Sequence, residues 1–140
     1  MRIYISTAMT GRSLADVERQ QAEWSALLRD AGFEPVVPSY DPGAGQGVVI
    51  RDFGLIATCD AIVLDASRPS WGAAMEAYYG LTLGVAVVAV FPGDPRDASP
   101  FLRYVTTLAP DVGTAVEHLK FNVVKMGEWF VTSCEKELGE

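Results

Sequence analysis

Residues 85–91 read VAVVAVF, a short stretch that is wholly apolar and rich in β-branched valine. It is far too short for a membrane-spanning helix, which needs about 20 apolar residues. It suits a strand covered on both faces, and such strands belong to parallel sheets with helices above and below. The remainder of the chain must therefore supply helices for two faces of one sheet.

It does so in alternation. Residues 2–6 (RIYIS) form a short strand. Ser13 is placed to cap a helix with Asp16 three residues on, and Leu14, Val17, Trp24, Leu27 and Leu28 give that helix its apolar stripe. Gly32 closes it. Residues 33–37 (FEPVV) are a second strand, and Pro35 marks it as an edge. PSYDPGAGQG (38–47) is a Pro- and Gly-rich loop, expected to be mobile. A helix from about Val48 to Cys59 leads into the strand 61–65 (AIVLD). SRPSWGAAMEAYYG (67–80) is a polar turn running into a helix that ends near Gly84. After the VAVVAVF strand, PGDPRDASP (92–100) is a loop and FLRYVTT (101–107) is expected to be a fifth strand. From Asp111 onward Val112, Val116, Leu119, Val123, Met126, Phe130, Cys134 and Leu138 recur every three or four residues. That spacing predicts one long amphipathic C-terminal helix or two, with Gly127 a weak point.

The pattern predicts an α/β fold in three layers: a Rossmann/flavodoxin-like, doubly wound, parallel five-stranded sheet of order 2-1-3-4-5. A length of 140 residues without repeats or linkers fits a single domain, 1–140. In such sheets the ligand crevice opens between the first and third strands, where the order reverses. The loops that meet there are Thr7–Arg12 and the turn that follows Asp65.

Composition removes several function classes. A net charge of −7 argues against a nucleic-acid backbone or an anionic membrane surface as partner. Cys59 and Cys134 lie far apart and His118 is the only histidine, so no metal site is expected. Reduced cysteines and an N-terminus too quickly polar for a secretory signal point to the cytoplasm. Neither a GxxxxGK[ST] phosphate loop, nor GxGxxG after a strand, nor a GxSxG elbow is present, and one lone histidine makes a Ser-His-Asp triad improbable. No cofactor is implied.

At the crevice, Ser70 is placed to cap the helix that follows it, and helix N-termini suit anions. Gly72 in its first turn, with Thr7, Thr10, Gly11 and Arg12 from the other loop, adds donors; the plainer reading is that Ser70 is a cap and no more. Glu76 sits among small residues about one turn into the helix, Asp52 lies in the preceding helix, and Asp65 ends the third strand. Two carboxylates in a cleft are the equipment for cleaving a glycosidic bond, one attacking the sugar and the other protonating the leaving group. Each also has a structural reading: an exposed helix residue for Glu76, a surface charge beside Arg51 for Asp52, a turn cap for Asp65. Tyr78 and Tyr79 read as packing or interface aromatics, and His118 as a packing or surface residue. The pattern does not say to which face Tyr4 points.

Together IYISTAMTG (3–11), IRDFGLIATCDAIVLD (50–65) and PSWGAAMEAYYG (69–80) resemble three segments of the nucleoside 2-deoxyribosyltransferase superfamily, and most closely its nucleoside 5′-monophosphate N-glycosidase branch. The likeness runs from residue 1 to about residue 105. It implies that Glu76 is the nucleophile and holds a covalent glycosyl intermediate, that Asp52 protonates the departing base, and that Tyr4 positions the nucleophile. It implies that Ser70 marks a nucleotide hydrolase, since the nucleoside transferases resemble one another in an Asp there. It further implies that Ser99 reaches the phosphate from the neighbouring subunit of a homodimer whose interface lies around Tyr78–Leu83. Thr7, Ala8 and Thr10 depart from the family's first loop, and Arg12 or Arg68 would have to replace an arginine that the hydrolases place at Thr10. The activity implied is hydrolysis of (deoxy)nucleoside 5′-monophosphates; the alternatives are base exchange by a 2′-deoxyribosyltransferase and a non-catalytic nucleotide-binding module.

Overall fold

The computed structural model describes residues 1–40 and 43–121. Five strands, β1 (Arg2–Ser6), β2 (Glu34–Val36), β3 (Ala61–Asp65), β4 (Ala86–Val90) and β5 (Thr107–Ala109), form one sheet of order β2-β1-β3-β4-β5. Every pairing is parallel, with Tyr4 between Val36 and Ile62. The architecture is the expected one, and Pro35 lies on the edge strand as its missing N–H requires.

Side chains of β1 alternate between two cores. Ile3 and Ile5 pack with Val63 and Val88 against Trp24 and Leu28 of α1 (Leu14–Asp30) and against Val116 and Leu119 of α5 (described over 112–121). Tyr4 packs with Ile62, Leu64 and Val87 against Ile56 of α2 (Gln46–Ile56) and Ala73, Ala77 and Leu81 of α3 (Trp71–Thr82). Small residues let α3 lie low on β3: a Cβ on Gly80 would come within 2.5 Å of Ile62 Cδ1. Ser13 Oγ accepts the Asp16 amide at 3.2 Å and Ser70 Oγ accepts the Ala73 amide at 3.3 Å, so both expected caps form.

One expected strand is a helix. Residues 101–105 lie in α4 (Pro100–Val105), and the fifth strand is only Thr107–Ala109. The reason is local: Ser99 caps the turn by accepting the Phe101 amide, and Pro100 at the first helical position fixes a helical φ. The helix expected from Val48 begins earlier, at Gln46, and ends at Ile56. The C-terminal helix is present over 112–121; its expected continuation through Val123, Met126, Phe130, Cys134 and Leu138 lies outside the described residues. Among the described residues no helix is long and apolar enough to cross a membrane.

Candidate active site

Tyr4 and Ser6 are two positions apart on β1, so both point to the α2/α3 side of the sheet. Both are fully buried. The Tyr4 hydroxyl donates to Glu76 Oε1 at 3.1 Å, and the Ser6 hydroxyl donates to Oε2 at 2.5 Å. The carboxylate that lacks a cation within a helical turn thus has one hydroxyl on each oxygen. Burial pushes its pKa above the ordinary 4.5; the two hydroxyls pull it back, and the nearby Asp52 charge adds to the rise. Burial first, then the negative charges of Glu76 and Asp52, push the Tyr4 phenol far above its ordinary 10.0, so it stays a neutral donor. Ser6 was not among the expected site residues. The period-two step from Tyr4 was the available signal.

Asp52 is buried in the folded chain and not a surface charge. Its Oδ1 pairs with Arg51 Nη2 at 2.9 Å and accepts Arg51 Nε at 3.0 Å. Arg51 also donates to Ser39 Oγ at 3.0 Å and to Ser39 O at 2.5 Å, tying the segment after β2 to α2. Next to Asp52, the Phe53 ring stacks on Tyr79 of α3 with centroids 4.2 Å apart, which locks α2 against the helix that carries Glu76.

Asp52 and Glu76 line one cavity of about 370 Å³ at the C-terminal edge of the sheet. Met9, Leu14, Val17, Val37 and Val48 give it apolar walls, and Thr7, Glu18, Gln21, Ser39 and Tyr40 complete its polar lining. A volume of this size holds a small ligand, with a few polar groups to orient it. The position next to paired β1 and β3 is the switch point expected from the strand order.

Apart from Thr7, the other expected residues fall outside this cavity. Arg12 is taken up by internal contacts: its Nη1 lies 3.3 Å from Asp65 Oδ2 and donates to Gln20 Oε1 and Ala8 O. Asp65 accepts the Ser67 amide and hydroxyl, so it is the turn cap of the structural reading. Arg68 is exposed; its Nη1 donates to Thr10 O at 3.3 Å and stands 3.8 Å from where a Cβ on Gly11 would be. Gly11 itself adopts φ +72°, a turn that favours glycine. Gly11, Arg12, Ser67 and Arg68 line a separate open groove of about 600 Å³ with polar residues of α1 and Trp24. Ser70 and Gly72 stand at the start of α3, and Ser99 is exposed at the start of α4. The chain brings together Tyr4, Asp52 and Glu76, adds Ser6, and leaves Thr10, Gly11, Ser70 and Gly72 on the loops and helix start beyond the cavity.

No protein-family model and no curated protein sequence matches the chain. Solved structures do. A 2-deoxyribosyltransferase from Leishmania mexicana aligns with a TM-score of 0.67 at 14% identity, over 86% of this chain and 98% of its own. The 2-deoxyribosyltransferase of Bacillus psychrosaccharolyticus aligns with a TM-score of 0.63 at 16% identity, over 83% of this chain and 90% of its own. The CMP N-glycosidase BcmB of Clostridium botulinum aligns with a TM-score of 0.58 at 14% identity, over 86% of this chain and 98% of its own. What these proteins share with the chain at such identities is the backbone arrangement, over nearly their full lengths. The chain has the fold of the nucleoside 2-deoxyribosyltransferase superfamily.

Proposed function

We propose that the chain is a nucleotide N-glycosidase, which hydrolyses (deoxy)nucleoside 5′-monophosphates to free base and (deoxy)ribose 5-phosphate. One observation carries the reading: a half-buried glutamate, held by two neutral hydroxyls, opens onto the same cavity as a second carboxylate. A Glu76 oxygen attacks the anomeric carbon as the bond to the base breaks, and that bond's electron pair leaves on the base nitrogen. The protonated form of Asp52 gives its proton to the base. Positive charge develops on the sugar in this step, and the adjacent Glu76 carboxylate stabilises it. Water then attacks the glycosyl ester; its proton goes to Asp52, its hydroxyl to the sugar, and Glu76 is freed. Two displacements retain the configuration.

Ser70 favours a phosphorylated substrate. Its oxygen caps α3 through a lone pair, which leaves its O–H to donate to a phosphate where an Asp would repel one. In this reading Gly72 in the first turn of α3 and Thr10, Gly11 and Arg68 of the loops are the further phosphate contacts, while Arg12 serves the fold through Asp65. A homodimer, with Ser99 given to the other protomer's phosphate, suits the outer surface. Trp71, Met75 and Tyr78 run along α3 with exposures of 88%, 58% and 67%, and Phe101 and Tyr104 of α4 are exposed by 81% and 65%. An apolar stripe of this kind marks an association surface.

Chromatography for free base, after incubation with a panel of nucleoside 5′-monophosphates, tests the reading. Base is expected from at least one nucleotide. Release from none sinks the hydrolase, and exchange of base between a free deoxynucleoside and an added base would identify the transferase instead. Nucleotide binding with neither release nor exchange would leave a binding module.

A further inference from the structure

The polar lining of the cavity is rich in hydrogen-bond acceptors. Beside Asp52 and Glu76 it holds Glu18 and Gln21, and among the described residues no Lys, Arg or His lines it. Leu14, Val17, Glu18 and Gln21 share one face of α1, at the i, i+3, i+4 and i+7 spacing, and all four line the cavity. They come from the opposite layer to the α2 and α3 carboxylates. With the anomeric carbon at Glu76, the base occupies the remaining room, between the side chains of Met9, Leu14, Val37 and Val48 and beside this polar pair. Gln21 Nε2 reaches Thr7 Oγ1 at 3.4 Å with one N–H, which leaves a second N–H and the amide oxygen. The Glu18 carboxylate has neither a hydrogen bond nor an ion pair among the described residues.

A carboxylate beside a base edge attracts an N–H donor and repels a carbonyl oxygen. Cytosine and adenine present an amino group next to an unprotonated ring nitrogen. Uracil and hypoxanthine present a carbonyl next to an N–H at the same places. Glu18 can accept from the amino group while the free N–H of Gln21 donates to the ring nitrogen. We propose that the cavity selects bases with this amino-bearing edge, cytosine or adenine, over their keto counterparts, with Glu18 as the specificity-determining residue. The inference rests on the N-glycosidase reading of the site and adds the chemistry of the leaving base.

The test compares kcat/KM for CMP with UMP and for AMP with IMP, in the wild type and in Glu18→Lys. Within each pair the nucleotides differ only in this edge. The amino member is expected to lead by at least about tenfold in the pair whose size fits, the value of one well-placed hydrogen bond to a charged group. In Glu18→Lys, which exchanges one helix-forming residue for another at an exposed position, that lead shrinks at least fivefold, through KM more than kcat. Equal or better use of UMP and IMP overturns the inference, as does an unchanged preference in the variant. If none of the four nucleotides or their 2′-deoxy forms releases base, calorimetric titration with the four free bases decides the inference by itself; the N-glycosidase reading fails only if the whole nucleotide panel is inert. Tighter binding of cytosine or adenine than of the keto counterpart sustains it; equal binding, or none, overturns it.

Discussion

Glu76 is held by hydroxyls instead of a cation, and that choice governs its chemistry. A guanidinium partner would bind the carboxylate at the cost of its nucleophilicity, whereas Tyr4 and Ser6 orient it and leave its charge unneutralised. In the proposed reaction the group must be ionised to attack, and burial raises its pKa, so activity is expected to be lost on the acid side at a pH above the ordinary 4.5. The same shift bears on stability. The folded chain keeps this proton to higher pH than the unfolded chain does, so native stability falls as pH rises from 4.5 to the raised value. Ser6→Ala removes the donor that most opposes burial. It is expected to move the acid limb of kcat to higher pH and to lower kcat roughly 10–100-fold, since a hydrogen bond to a charged group is worth about 1.5–3 kcal/mol. A pH–rate profile superposable on the wild type would contradict this. The glutamate was legible in the sequence because a lone charge among small apolar residues needs a reason. Ser6 was not, because a serine in a strand gains a role only from what the facing helix brings to it.

At the scale of elements, α3 is both scaffold and candidate phosphate site, and Ser70 stands where the two roles meet. Ser70→Asp separates them. Asp caps a helix about as well as Ser, so stability should stay within about 0.5 kcal/mol of the wild type by thermal unfolding. A carboxylate there repels a phosphate, so kcat/KM for a nucleoside 5′-monophosphate should fall at least about tenfold while a free nucleoside is spared. An equal fall for both substrates would show that Ser70 does no more than shape the helix. Caps and edges were the legible features of the elements: Ser13, Ser70 and Gly32 carry fixed local chemistry, and Pro35 cannot sit in a central strand. The fifth strand was misplaced because Phe101–Val105 is apolar enough for either state, and Ser99 with Pro100 decided for a helix. Contacts that join elements far apart in sequence had no sequence signal at all, as Arg51 to Ser39 and Phe53 on Tyr79 show.

The whole molecule was the most legible scale, because one doubly covered strand and a regular alternation of elements leave few sheets to choose from, and strand order then places the crevice. Assembly belongs to this scale too. If Ser99 acts across a dimer, a mixture of Glu76→Ala and Ser99→Ala chains forms mixed dimers with one intact site. Such a mixture is expected to exceed the activity of either variant alone, and light scattering is expected to report a dimer. A monomer, or a mixture no better than its parts, would return Ser99 to capping α4. The central claim is the covalent chemistry of Glu76, and one measurement reaches it directly: peptide mass mapping of enzyme quenched in acid during turnover of a nucleoside 5′-monophosphate. A sugar phosphate attached to the peptide carrying Glu76 is expected, together with a loss of base release of at least about 10³-fold in Glu76→Ala. Base release by Glu76→Ala at the wild-type rate, with no adduct on that peptide, would contradict it.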